Sequence, residues 1–406
     1  MADFHQSGSI ATLHNLRTAS TEAMTNELST FGMNRKINLI LPSLFSELEG
    51  EALPAIIDEL NKVPYLNKIV IGLDRATEAE YRYARQFFSR LKVNYDILWN
   101  DGPRLQAIDE RLKKLALSPN EPGKGRNVWF CIGYTLAQAE AAVVAVHDCD
   151  VVTYSADMLA RLVYPVANPA FPYQMSKGFY PRVADRKLNG RVSRLLVTPL
   201  LQALKKVLGQ RDYLDFLSSF RYPLAGEFAM RTAILPDMRI PSDWGLEIGL
   251  LSEAWRNLSP QAVCQVEISD RYDHKHQDLS FDDANKGLSR MSVDICKALY
   301  RKLAADGTVL SEEVFRSIKA TYYRMALDLI DTYYNDARMN GLDLDRHAEE
   351  TAVELFAANI MQAGSVFLDN PMETPFIPNW SRVNAADPAI LTDMLKAVAD
   401  DNAEFG

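Results

Sequence analysis

The stretch AVVAVHDCDVVTY, residues 142–154, decides how this chain is read. Val143, Val144, Ala145 and Val146 form a short apolar run, rich in β-branched residues, of the kind that makes a buried strand. The run leads into Asp148 and Asp150, separated only by Cys149. In an extended chain residues i and i+2 point to the same side, so the two acids share a face. Carboxylates held together repel unless positive charge lies between them. A divalent cation meets that need, and this strand end is expected to bind one.

The same punctuation recurs upstream. INLILPS (37–43) is an apolar run closed by Pro42, KIVIGLD (68–74) ends at Asp74, and VNYDILWND (93–101) reads as a third strand. Between them, ELEGEALPAIIDELNKV and TEAEYRYARQFFSRL carry helical periodicity, the second with Thr77 as its N-cap, and residues 126–141 read as another helix. Strand and helix alternating at this spacing predict a parallel α/β sheet. Ligands of such sheets bind beyond the carboxyl ends of the strands. Pro42–Ser43, Leu73–Asp74 and Asp148–Asp150 all fall there.

Farther on, FPYQMSKGFY and AVCQVEISDRY read as strands and LLVTPLLQALKKVL as a helix. From about residue 285 the pattern is helical. The expected division is an N-terminal segment (1–35), an α/β domain (36–284, with halves about 36–150 and 151–284) and a helical C-terminal region (285–406). The LDLD sequence holding Asp343 and Asp345 lies in that helical region and is assigned no chemistry.

The 406 residues are 48% hydrophobic and 24% charged, with a net charge of -9. An acidic chain of this kind repels nucleic acid on average, which disfavours such a partner. The four cysteines, Cys131, Cys149, Cys264 and Cys296, form no CxxC pair, as expected of free thiols in a reducing compartment. No apolar run approaches the ~18–20 residues that cross a bilayer. The start, MADFHQSGSIATLHNL, lacks the basic and apolar parts of a signal peptide. The expectation is a soluble cytoplasmic protein without a membrane partner.

Further stretches carry chemistry. In NEPGKGRN, Gly123 and Gly125 let the backbone approach a ligand closely, and Lys124 offers a point charge to a phosphate. Residues 176–194 concentrate Lys177, Arg182, Arg186, Lys187, Arg191 and Arg194 in an acidic protein, and arginine suits bidentate binding of phosphate or carboxylate. Glu227 in PLAGEFA and Glu247 in DWGLEIGLL sit in apolar surroundings, where a carboxylate must be paired or used. They are read as bonding sugar hydroxyls or holding a basic group. His274 and His276 in RYDHKHQD are candidate ligands for an ion such as Mn²⁺, with His274 preferred.

Together these segments resemble the glucosyl-3-phosphoglycerate synthases, retaining glycosyltransferases of GT-A fold. The resemblance runs in order from about 37 to 280 through LPSLFSE, PGKG, DCD, KGFY, NGRVSRLLVTPLL, PLAGEFA, GLEIGLL and DHKHQ. It implies a Rossmann-like mixed sheet that binds a nucleotide sugar, has helices on both faces and carries a C-terminal helical extension. It implies transfer of glucose from UDP-glucose, or another nucleoside-diphosphate glucose, to the 2-hydroxyl of 3-phosphoglycerate, with Mg²⁺ or Mn²⁺ as cofactor.

By the same resemblance Pro42, Ser43 and Leu44 would line the uridine site and Asp74 would meet the base or ribose. Glu47, Lys124, Asp148, Glu227 and Glu247 complete the donor-binding set. Asp150 and His274 would hold the metal, with Asp148 and His276 as further candidates. Asp148, Asp150, Glu227 and Lys124 are the candidate catalytic residues. Gly190, Arg191, Val192 and Ser193, joined by Lys177 and Arg182 from the basic stretch, would bind the acceptor. The first loop departs from the family's P-A-L-N-E-E, reading Pro42-Ser43-Leu44-Phe45-Ser46-Glu47, and Asn189 and Ser193 replace a glycine and a threonine.

The rivals are another sugar or acceptor (GDP-mannose, glycerate), a nucleotidyltransferase, and a non-catalytic sugar-nucleotide-binding protein. A homodimer with the helical region contributing is expected. Synthesis of the compatible solute glucosylglycerate is implied by the family alone.

Overall fold

A computed structural model describes residues 6, 8–16, 20–119, 122–273, 287–371 and 378–405. Its strands are β1 (Ala11–Leu13), β2 (Ile37–Leu44), β3 (Leu66–Asp74), β4 (Tyr95–Trp99), β5 (Val143–Val146), β6 (Met175–Phe179), β7 (Val183–Ala184), β8 (Lys187–Leu188), β9 (Phe228–Arg231) and β10 (Val263–Glu267). The helices up to residue 257 are α1 (Thr21–Gly32), α2 (Ala52–Leu60), α3 (Glu78–Phe88), α4 (Pro103–Lys114), α5 (Lys124–Gln138), α6 (Ala156–Ala167), α7 (Thr198–Leu208), α8 (Asp212–Ser218) and α9 (Leu246–Asn257). The C-terminal region holds α10 (Gly287–Ala305), α11 (Glu312–Met339), α12 (Arg346–Asp369), α13 (Trp380–Ala386) and α14 (Ile390–Glu404).

Eight strands form one sheet in the order β1-β10-β6-β9-β5-β2-β3-β4. All neighbours are parallel except that β9 runs antiparallel to both β5 and β6. The sheet is therefore mixed, as the resemblance implies. The segment before residue 36 supplies its edge strand β1, paired to β10.

Side-chain alternation along each strand feeds two cores. Leu39, Leu41, Ile69, Ile71, Val143 and Ala145 pack on one face, with residues of α2, α3 and α6. Ile40, Val70, Leu98, Val144, Val146 and Met230 pack on the other, with residues of α5, α7 and α9. A strand buried on both faces must be apolar at successive positions, which explains why INLIL and AVVAV read as continuous runs. Thr77 caps α3 as expected, in a reciprocal capping box with Glu80.

The helices after 285 are no separate appendage. Leu299, Phe315, Tyr322, Phe356 and Val398 belong to the same core as Ile40 and Val146. By length and composition α12 is the one described helix apolar enough to cross a bilayer. Here it packs against α10 and α11, with Val353, Phe356 and Ile360 fully buried. All four cysteines are free and buried.

Candidate active site

The sheet places the acids. β5 lies between β2 and β9, so the chain leaving Val146 emerges at the carboxyl edge of the parallel strands. Because β9 is antiparallel, its amino end faces the same edge, and Glu227 immediately precedes it. Asp148, Asp150 and Glu227 thus converge although 77 residues separate the last two in sequence. A Cβ added to Gly226 would lie 2.3 Å from an Asp148 carboxylate oxygen, so only glycine lets that carboxylate rest on this turn.

Lys124 opens α5 and enters the same cluster. Its Nζ lies 2.6 Å from Asp148 Oδ1 and 3.2 Å from Glu247 Oε1. Glu247 therefore holds a basic group, one of the two uses expected of it. Burial alone would depress the lysine pKa; the two carboxylates outweigh it and hold the ammonium above its ordinary value. The flanking glycines act differently from the expectation. A Cβ on Gly125 would meet the Pro241 carbonyl oxygen at 1.9 Å, and one on Gly123 the Ser242 carbonyl oxygen at 2.4 Å. Protein backbone fills the space reserved for a ligand, and this contact brings Lys124 against the segment that leads to Glu247.

Asp150 sits in a crowd of acids. Burial first, then Asp148 and Glu47, pushes its carboxyl up to about 7. Such surplus negative charge, supplied entirely by carboxylate oxygens, is a donor set suited to a hard divalent cation. No group of three metal ligands is complete among the described residues. His274 and His276 lie outside the described residues. The last described residue before them is stitched to the acid loop: Val152 N–H donates to Asp273 O at 2.9 Å, and Asp273 N–H donates to Thr153 Oγ1 at 3.1 Å.

Glu227 is fully buried beneath two tyrosines the sequence did not single out. Tyr180 OH donates to Oε2 at 2.7 Å, and Tyr272 OH donates to Oε1. The two rings stack at 3.7 Å, nearly parallel, and the Arg182 guanidinium lies over Tyr272 at 5.7 Å. Burial and the nearby Asp148 push the Glu227 carboxyl up, while the phenol bonds pull it back. The KGFY and RYD sequences contain both tyrosines, but nothing in their spacing pairs them with an acid.

The proposed uridine site lies at the ends of β2 and β3, where Pro42 pairs with Gly72 and Leu44 with Asp74. Ser43 is buried and donates to Leu44 O at 3.0 Å. Glu47 follows in a short 3₁₀ turn, Phe45–Glu49. Asp74 accepts from Asn100 Nδ2 at 2.6 Å, and burial chiefly pushes its carboxyl up to about 6.

On the acceptor side the basic stretch divides. Lys177 does not stand with the loop. It is fully buried on β6, its ammonium donating to Ala225 O beside the Phe228 ring, and burial pushes it down to about 8. β6 lies inside the sheet between β10 and β9 and is buried at every position, which takes Lys177 inward. Arg182 donates to Tyr222 OH at 3.1 Å. Asn189–Arg191 form the loop after the small β7–β8 hairpin, and Val192 and Ser193 begin a buried π-helical turn. Ser193 Oγ has no hydrogen-bond partner among the described residues. Arg191 and Arg194 both bond Glu349 of α12. No role for that region was legible beforehand.

No family model matches the chain. Among curated proteins, the chain is 44% identical over 404 residues to the glucosyl-3-phosphoglycerate synthase of Persephonella marina, covering 100% of both. It is 36% identical over 407 residues to that of Methanococcoides burtonii, covering 99% of both. Among solved structures, the glucosyl-3-phosphoglycerate synthase of Mycobacterium tuberculosis, with Mn²⁺, UDP-glucose and phosphoglyceric acid, is similar at 23% identity and a TM-score of 0.54, over 73% of this chain and 89% of that one. The mannosyl-3-phosphoglycerate synthase of Rubrobacter xylanophilus is similar at 18% identity and a TM-score of 0.55, over 74% of this chain and 83% of that one. These structures share the fold.

A mixed sheet with an acid cluster at its carboxyl edge, in this company, defines a glycosyltransferase of GT-A fold. At 44% and 36% identity over its full length, the chain belongs to the glucosyl-3-phosphoglycerate synthase family.

Proposed function

We propose that this enzyme transfers glucose from UDP-glucose to the 2-hydroxyl of 3-phosphoglycerate with retention at the anomeric carbon. The observation that carries the reading is the Asp148–Lys124–Glu247 chain at the strand ends, 2.6 and 3.2 Å long, set beside the acids of the DCD loop. Asp150 with His274 would hold Mg²⁺ or Mn²⁺, Asp148 and His276 being further candidates. When bound, the ion supplies Lewis-acid stabilisation to the departing diphosphate.

The chain's own residues do the rest. Pro42, Ser43, Leu44, Glu47 and Asp74 bind the uridine end. Lys124, kept charged by its two carboxylates, sets a fixed cation where negative charge develops on the leaving group. Glu227 is sealed under Tyr180 and Tyr272, so it shapes the glucose site by fixing both rings. Gly190, Arg191, Val192 and Ser193 hold the acceptor, with Arg182 nearby. Asp148 is engaged by Lys124 and Glu227 by two phenols. Neither is assigned as a covalent nucleophile, and front-face attack, with the leaving phosphate taking the acceptor proton, needs none.

The reading extends to a homodimer, a cytoplasmic setting without a membrane partner, and a product that leads to the compatible solute glucosylglycerate. A monomeric mass for the full-length protein at micromolar concentration overturns the dimer. NMR of the product from UDP-glucose, 3-phosphoglycerate and Mg²⁺ tests the reaction. An α-linkage to C2 of 3-phosphoglycerate is expected. Faster turnover of GDP-mannose or of glycerate would reassign donor or acceptor, and release of pyrophosphate would overturn glycosyl transfer.

A further inference from the structure

The helical region reaches the acceptor loop with one buried acid. Glu349 lies in the first turn of α12 and is 2% exposed. Its carboxylate is shared between two arginines: Oε1 accepts from Arg191 Nε at 2.7 Å and Oε2 from Arg194 Nη1 at 2.8 Å.

The two arginines differ in what remains. Arg194 is engaged through all three of its nitrogens. Its Nε donates to Asn189 O at 2.8 Å, its Nη2 to Leu188 O at 3.1 Å, and its guanidinium lies over Tyr333 at 5.0 Å. It braces the loop from within. The Arg191 side chain is 35% exposed, and among the described residues its guanidinium has no hydrogen bond or ion pair beyond the one from Nε. Its terminal nitrogens remain for a ligand. Arginine presents its nitrogens in a rigid planar fork, so fixing Nε also fixes where the terminal pair can bind.

The backbone around Glu349 is anchored to the same loop. Asp343 N–H donates to Arg186 O at 2.6 Å, and Asp343 pairs with Lys187 in a parallel bridge. Asp345 caps α12, accepting from Ala348 N–H at 3.1 Å. The LDLD sequence, assigned no chemistry above, thus ties the start of α12 to the β7–β8 hairpin and delivers Glu349 beneath residues 189–194.

We infer that Glu349 is a positioning residue for the acceptor: it holds Arg191 by Nε, leaving the terminal nitrogens to grip the phosphate or carboxylate of a small phosphorylated acid. The inference rests on the reading of residues 190–193 as the acceptor loop. It gives the helical region a part in substrate recognition as well as in the core.

Steady-state kinetics of the full-length enzyme, with 3-phosphoglycerate and UDP-glucose varied separately, tests it. Glu349→Gln is expected to raise KM for 3-phosphoglycerate about tenfold, as befits loss of one charge-assisted bond. The turnover number and KM for UDP-glucose should stay within about twofold of wild type. Arg191→Lys, which cannot offer the same fork, should raise the same KM, and adding Glu349→Gln to it should have little further effect. An unchanged acceptor KM in Glu349→Gln, or a parallel loss of turnover and of affinity for both substrates, overturns the inference. Arg191→Ala separates the two levels. If it leaves the acceptor KM unchanged, the acceptor-loop reading fails and the inference with it; if it raises that KM while Glu349→Gln does not, the inference alone fails. Should Glu349→Gln not fold, Glu349→Asp keeps the buried charge but withdraws it by one methylene. An unchanged acceptor KM in that variant is equally fatal.

Discussion

Replacing Gly226 by alanine tests the packing of the acid cluster directly. The new Cβ would lie 2.3 Å from Asp148 Oδ2, 2.7 Å from Cγ and 2.8 Å from Oδ1. Non-bonded contacts of a methyl settle nearer ~3.3–3.5 Å, so the carboxylate must retreat by about 1 Å. That retreat stretches the 2.6 Å contact to Lys124 beyond hydrogen-bond range, while Glu247 still holds the lysine at 3.2 Å. A displacement of ~1 Å in a catalytic constellation costs roughly 10²-fold in rate. The fold should suffer far less. The Asp148 side chain is 24% exposed and has room to give way, which puts the overpacking cost near the low end of the usual range, about 1 kcal/mol. The assay is kcat/KM for UDP-glucose at saturating 3-phosphoglycerate, with a thermal melt in parallel. A hundredfold loss with a shift of only a few degrees supports the geometry. Activity within about threefold of wild type would refute it, since the carboxylate would then have no need of its seat on the turn.

Two further outcomes follow from the same site. Lys124→Met leaves Asp148 and Glu247 facing each other without their shared cation, so kcat should fall by about 10²–10³-fold, as when a preorganised electrostatic group is removed; single-turnover kinetics would show the loss in the chemical step. Asp74→Asn should stabilise the protein at neutral pH. Burial raises the folded pKa from 3.8 to about 6, so the folded state holds more protons than the unfolded state between those values. Stability must then fall as pH rises from about 4 to about 6, a penalty of at most ~2–3 kcal/mol that Asn does not incur. Melts of both proteins should coincide near pH 3.5 and diverge by pH 7.5, the variant melting higher.

The local parts of this architecture were legible because they obey local rules. Continuous apolar runs marked β2, β3 and β5, Thr77 marked the start of α3, and acids at strand ends marked the ligand edge. The antiparallel insertion of β9 was not legible, because strand direction is set by partners far away in sequence. That insertion puts Glu227 at the site. Glycine signalled close approach at Gly123 and Gly125 but not what approaches, and the backbone at Pro241–Ser242 does. Lys177 was grouped with the arginines of residues 182–194 by proximity in sequence, whereas it lies on β6, a strand buried at every position. Glu349 reaches Arg191 across 158 residues, and no motif announces such a contact.

Nucleoside diphosphate release by the purified protein bears most directly on the proposed transfer. UDP-glucose, 3-phosphoglycerate and Mg²⁺ are supplied to wild type and to Asp150→Ala, each with and without acceptor and with the ion removed by chelation. Wild type should release UDP only when acceptor and ion are both present, and Asp150→Ala should release little under any condition. Acceptor-independent release, or an Asp150→Ala enzyme as active and as ion-dependent as wild type, would contradict the account of the DCD loop as the metal end of a glucosyl-transfer site.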